Sequence, residues 1–168
     1  MDGMIKSENE KLIIEDISFS KTDLLNKKYI PKRYKEDISS AGIIVIPSEN
    51  VRDGLGLTFP ERTVGIVDYL QSTIDTTIEY AVDDDEFQEL ELHSIDVVIP
   101  ILFVAQEIML PIVLSGVYDF IKSKVIGNRE LKATVELEIY HETKEGSKHI
   151  KYKGPLKGLE EVIKKSEL

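Results

Sequence analysis

Ala41-Gly42-Ile43-Ile44-Val45-Ile46, closed by Pro47, is the stretch on which the fold turns. Four consecutive β-branched residues favour an extended backbone, and a run with no polar alternation predicts a strand buried on both faces. Downstream, Thr58 stands three residues before Glu61, which is capping-box spacing, with Pro60 in the first turn. That pattern predicts a helix from Thr58 to about Gln71, with Val64, Val67 and Leu70 on its apolar stripe. Ile74–Val82 then alternates, with Ile74, Ile78, Tyr80 and Val82 on one face and Asp75 and Glu79 on the other, which predicts a half-buried strand. Strand, helix and strand in this order predict a βαβ unit with parallel strands.

Upstream, Lys11–Phe19 reads as a short strand, and the polar stretch 21–40, broken at Pro31, as a short helix and a connector. Residues 1–10 are polar and expected to be disordered. Residues 97–121 are the most apolar part of the chain, and we expect a pair of buried helices broken near Pro111. The charge-free runs there, 97–106 and 108–118, fall short of the ~20 residues a membrane span needs. Ala133–Tyr140 and Lys148–Lys153 alternate on either side of a turn containing Gly146, which predicts a hairpin. Its polar faces would set Glu136 and Glu138 against His149, Lys151 and Lys153. A last helix follows Gly154-Pro155, with Leu156, Leu159, Val162 and Ile163 on one stripe. The expected whole is one α/β (or α+β) domain over 1–168. It has a mixed sheet with a parallel βαβ core, an apolar helical segment and a C-terminal ββα unit.

The 168 residues carry a net charge of −10. Residues 41–120 hold two basic side chains, Arg52 and Arg62, against fifteen acidic ones. A field of that sign repels phosphates, so nucleic acid is a poor partner, and it attracts cations or a basic protein surface. With no cysteine in the chain, disulfides, thiolate zinc sites and cysteine nucleophiles are excluded. No secretory or lipidation signal is read, so a cytoplasmic location and no membrane association are expected.

Parallel strands present their C-terminal ends at one sheet edge, where open α/β sheets bind ligands. Glu49 and Asp53 follow the first strand and Asp83, Asp84 and Asp85 the second. These hard oxygen donors are the candidate site for Mg²⁺ or Ca²⁺, the alternative to a protein with no cofactor. Gly54 and Gly56 match neither a dinucleotide nor a Walker fingerprint. His141 and His149 bracket the hairpin turn as a two-ligand zinc pair without a third partner, and His93 is a candidate base. Lys27, Lys28, Lys32, Arg33 and Lys35, interleaved with Tyr29 and Tyr34, suit either single-stranded nucleic acid or the chain's own acidic face. Phe103, Ile108, Met109, Leu110, Val113 and Tyr118 are the candidate surface for a protein partner or a second copy.

Val117-Tyr118-Asp119-Phe120-Ile121-Lys122, the alternating hairpin and the helix after Lys153-Gly154-Pro155 resemble accessory, effector-associated domains of bacterial conflict and phage-defence systems. That resemblance covers about residues 95–168 and implies a non-catalytic component working beside a separate effector. Ile43–Asn50 also looks like a strand and loop of TIR domains. The tryptophan expected after that loop is missing, so no catalytic residue carries over. A non-catalytic interaction subunit that docks a protein through the apolar helices of 97–124 and the acidic middle is the leading expectation, and a small metal-dependent hydrolase or phosphoryl-transfer enzyme with an acidic site at the C-terminal edge of the parallel strands the alternative.

Overall fold

The computed structural model describes residues 5–7, 10–49, 54–91, 96–126 and 134–166. Strands β1 (Ile5–Ser7) and β2 (Glu10–Ile17) lead to helices α1 (Lys21–Leu25) and α2 (Lys35–Ser40). β3 (Ile43–Ile46), β4 (Ser48–Glu49) and β5 (Leu57–Pro60) precede α3 (Thr63–Thr73), followed by β6 (Ile78–Tyr80) and β7 (Glu89–Leu90). β8 (Val97–Val98) and β9 (Ile101–Val104) run into α4 (Leu110–Phe120), which continues as a π-helical turn, Ile121–Ile126. β10 (Val135–Thr143), β11 (Gly146–Gly154) and α5 (Leu156–Ser166) follow.

The fold is α/β, built on one mixed sheet in the order β1-β2-β11-β10-β9-β3-β6, with β8 also pairing β10. β3 and β6 run parallel, Ile43 beside Ile78 and Val45 beside Tyr80, as the βαβ pattern requires. β9 is antiparallel to β3 and parallel to β10, so β9, α4 and β10 form a second parallel unit. A small second sheet, β4-β5-β7, takes β4 and β5 from the segment between β3 and α3 and β7 from the segment after β6.

β3 is buried at all four positions because both of its faces are covered. Ile43 and Val45 pack in a cluster with Ile66, Val67 and Leu70 of α3, Val113, Leu114 and Val117 of α4, and Leu159 and Val162 of α5. Ile44 and Ile46 pack in a second cluster with Leu24 of α1, Ile38 of α2 and Phe103 of β9. Three helices thus back the sheet on one side, and α1 and α2 cover part of the other. The smaller cluster reaches as far as Tyr140, while Lys11 and Glu15 of β2 and Lys151 and Lys153 of β11 stay exposed. Among the described residues, no helix covers the other half of that sheet face.

Three local expectations are corrected. Thr58 does not cap a helix: it is buried in β5, and α3 begins at Thr63. Arg62 holds the N-cap position in the left-handed region, and the Glu89 carboxylate accepts from the backbone N–H of Arg62 (3.2 Å) and of Val64 (2.9 Å). This shift turns Val64 outward, 43% exposed, and gives its core position to Ile66. Residues 97–121 are not two helices. Their first half forms β8 and β9, and Pro111 starts α4 instead of breaking it. Of residues 1–10, Ile5–Ser7 and Glu10 are extended in the sheet, and the others lie outside the described residues. No helix of the described residues is long and apolar enough to cross a membrane.

Candidate functional site

The parallel pair β3 and β6 delivers its chain ends to one rim, where Ser48 and Glu49 follow β3 and Asp83 follows β6. The rim is already occupied by the chain's own basic-aromatic segment. Pro31 ends the preceding turn, and Lys32–Tyr34 form a 3₁₀ turn that presents Arg33 and Tyr34. The Arg33 guanidinium donates to the Asp83 carboxylate, and the Tyr34 hydroxyl donates to Asp84 at 2.8 Å. Arg33 lies 4.7 Å over the Tyr34 ring, so both groups are held by one stacked pair. Hydrogen bonding to Arg33 holds the Asp83 carboxyl below the usual carboxylate range. Asp83 also accepts from the Asp85 backbone and caps the turn Asp84–Glu86.

Glu49 is exposed in β4. The Tyr29 hydroxyl, burial first and the Glu49 charge second, is pushed up to about 12. Asn50, Arg52 and Asp53 lie outside the described residues, as does His93. Among the described residues no three His, Asp or Glu side chains gather as a metal-ligand group. His141 and His149 point to opposite faces of β10 and β11, since Tyr140, not His141, is the register partner of His149. His141 faces the helices, where its Nε2 meets the Ile108 carbonyl at 3.1 Å, and burial holds its pKa below the usual imidazole value.

Phe103, Leu110 and Val113 lie in the core. Ile108 is half-buried against it, and half-buried Tyr118 donates to Glu160 of α5 at 2.9 Å. Met109 is 64% exposed and Ile112, beside it on α4, 47%.

The feature that sequence reasoning did not assemble is a groove of about 380 Å³ on the open half of the sheet. Alternation along each strand builds it, because every second side chain of β2, β11 and β10 points to this face. The register sets them in rows. Lys11 stands opposite Lys153, which stands opposite Glu136. Ile13 stands opposite Lys151, which stands opposite Glu138. Val98, Ile99 and Ile101, with Ser48 and Pro60, line the rest.

Of the expected cross-strand pairs, those with lysine are in register but not closed, whereas that of Glu138 with His149 is closed. Among the described residues none of Lys11, Lys151 and Lys153 comes within ion-pair distance of a carboxylate. Glu138 turns along the sheet instead, accepting from His149 Nε2 at 2.8 Å and from the Tyr140 hydroxyl at 3.4 Å. The His149 ring stacks on Tyr140, centroids 4.5 Å apart and 6° from parallel, and its Nδ1 lies 3.5 Å from Glu15. Burial, with the Glu138 charge, pushes the Tyr140 hydroxyl up to about 12, so it stays a donor. The hairpin alternation already put Lys151 and Lys153 on one polar face. What it lacked was Lys11, which only the pairing of β2 with β11 brings to them. No family model matches the chain, and neither a curated protein nor a solved structure matches it.

Proposed function

We propose that the chain is a non-catalytic interaction subunit that receives a partner protein on the open half of its sheet. One observation carries the reading. Among the described residues, a sheet backed by three helices on one side is covered by helices over only half of the other, and a groove lies in the remaining half. Small-molecule pockets bury most of their ligand, whereas this groove opens along a sheet face, as a docking surface does. Against a metal-dependent hydrolase stands the engagement of Asp83 and Asp84 by Arg33 and Tyr34, which leaves those carboxylates serving the fold. The reading keeps the accessory role beside a separate effector that the resemblance of residues 95–168 implies, and the cytoplasmic location expected from the sequence.

The test is a photo-crosslinking amino acid placed at Lys151, on the open face, and at Lys157, exposed on α5 behind the sheet. A single discrete protein adduct at Lys151, absent at Lys157, is the expected result. Identical ladders at both positions, or no adduct at either, would remove the reading.

A further inference from the structure

We infer that the groove is built for an extended, acidic segment of the partner, with carboxylates at alternate positions. The inference rests on the docking reading above and names the chemistry of the occupant. Its first ground is an arrangement the sheet itself does not favour. Lys11 and Lys153 are direct register partners on adjacent antiparallel strands. Like charges so placed repel. Neither is relieved by a carboxylate, although Glu136 is the register partner of Lys153 on its other side. Glu138, the carboxylate facing Lys151, is turned away to His149. Three ammonium groups thus share one groove with the two carboxylates Glu136 and Glu138, and among the described residues none of the three is within ion-pair distance of a carboxylate, in a chain whose net charge is −10.

The second ground is spacing. Lys151 and Lys153 are two residues apart on one strand, so they repeat at about 7 Å along it. An extended peptide repeats its same-side residues at that interval. Two carboxylates at alternate positions would meet Lys151 and Lys153 in step, and Lys11 would flank the second from the neighbouring strand. The methylene stems of the two acidic residues would lie near the apolar side chains of Ile13 and Ile101, while the residues between them point away from the sheet. Single-stranded nucleic acid also repeats a negative charge, but the overall field of this chain repels a polyanion, whereas a short segment meets only the local lysines.

The probe is a fluorescein-labelled octapeptide with glutamate at every second position and leucine or serine between, read by anisotropy. Its partner is the same peptide with glutamine for each glutamate. We expect saturable binding, at least about tenfold weaker for the glutamine peptide and for Lys151→Glu/Lys153→Glu. Lys151→Gln/Lys153→Gln, which keeps the sheet pattern, should lose a smaller part. Binding should weaken about fivefold or more between about 50 and 300 mM salt. Far-UV circular dichroism confirms that the variants stay folded. Equal binding of both peptides, undiminished binding by a folded double variant, or tighter binding of a labelled oligothymidylate would each overturn the inference. If the glutamate peptide fails while the crosslinker at Lys151 still traps one species, the acidic occupant is refuted and the docking face stands. If both fail, both fall.

Discussion

Glu89 closes the N-terminus of α3 by accepting the backbone N–H of Val64 at 2.9 Å, from a strand twenty-five residues further along the chain. Its second oxygen takes the N–H of Arg62. The helix therefore has no side-chain cap of its own, because its N-cap residue is Arg62 in a left-handed conformation. Replacing Glu89 by alanine leaves two amides without their acceptor and should cost about 1 kcal/mol, the size of a lost helix cap. Glu89→Gln, which still offers one oxygen, should cost less. Chemical denaturation of the three proteins checks the order, and equal stability of all three would show that water replaces the carboxylate without loss.

Gly146 sits at φ 138°, and a Cβ there would lie 2.5 Å from the Ile17 carbonyl oxygen. The obstacle is backbone of β2 and not a movable side chain, so the strand must shift. Gly146→Ala should destabilise by about 1–3 kcal/mol. Because the clash is with β2, amide hydrogen exchange should rise across Glu10–Ile17 first. Gly54, at φ 83° with nothing within 4 Å of the added carbon, gives the conformational cost alone. Its alanine variant should be the milder, and the reverse order would contradict the placement of β2 against the hairpin turn.

His141 is half-buried where β10 passes the loop before α4, and its imidazole keeps a pKa below the ordinary 6.5. Desolvation is the main cause, partly opposed by the Ile108 carbonyl. The unfolded chain then takes up this proton at a higher pH than the folded one. Stability from this group is complete above about pH 6.5 and is lost as pH falls through the lower, folded value. His141→Gln keeps a donor for the Ile108 carbonyl and removes the titration. Urea midpoints compared between about pH 7.5 and 5.5 should fall more for the wild type than for the variant. Parallel lines for the two would mean that His141 meets water.

The parallel pairing of β3 with β6 was legible because four β-branched residues and one alternating strand leave few other arrangements. The hairpin was legible from its alternation, down to the polar face that sets Glu136 and Glu138 against His149, Lys151 and Lys153, but not to the individual register partners. β9 was misread because a continuous apolar run looks alike as a strand or a buried helix. Its length, four residues between Pro100 and Ala105, favoured the strand, and Pro111 fits the first turn of a helix better than its middle. The cap of α3 was illegible, since Thr58 and Glu61 have the right spacing while the real acceptor, Glu89, is distant in sequence. The groove was half legible. Lys151 and Lys153 were on one face from alternation alone, but nothing local states that β2 adds Lys11 beside them.

Lys11 offers the sharpest check on why that row of lysines exists. If Lys11 and Lys153 repel across the two strands, reversing one charge should stabilise the protein that lacks its partner. Lys11→Glu converts a like pair into an opposite pair, and we expect a gain of about 0.2–1 kcal/mol at low salt. Lys11→Gln removes the repulsion without adding attraction and should fall between that variant and the wild type. Both gains should shrink as salt rises, because the groups are exposed. Thermal melts at low and high ionic strength give the numbers. The same Lys11→Glu protein should bind the glutamate peptide more weakly than the wild type, so stability and binding would move in opposite directions. Residues kept against stability are what a recognition surface requires, since a charge that suits the partner need not suit the unpartnered fold. Should Lys11→Glu instead lower the melting temperature, the two ammonium groups are already comfortable where they stand, and the row loses its claim to be waiting for an anion.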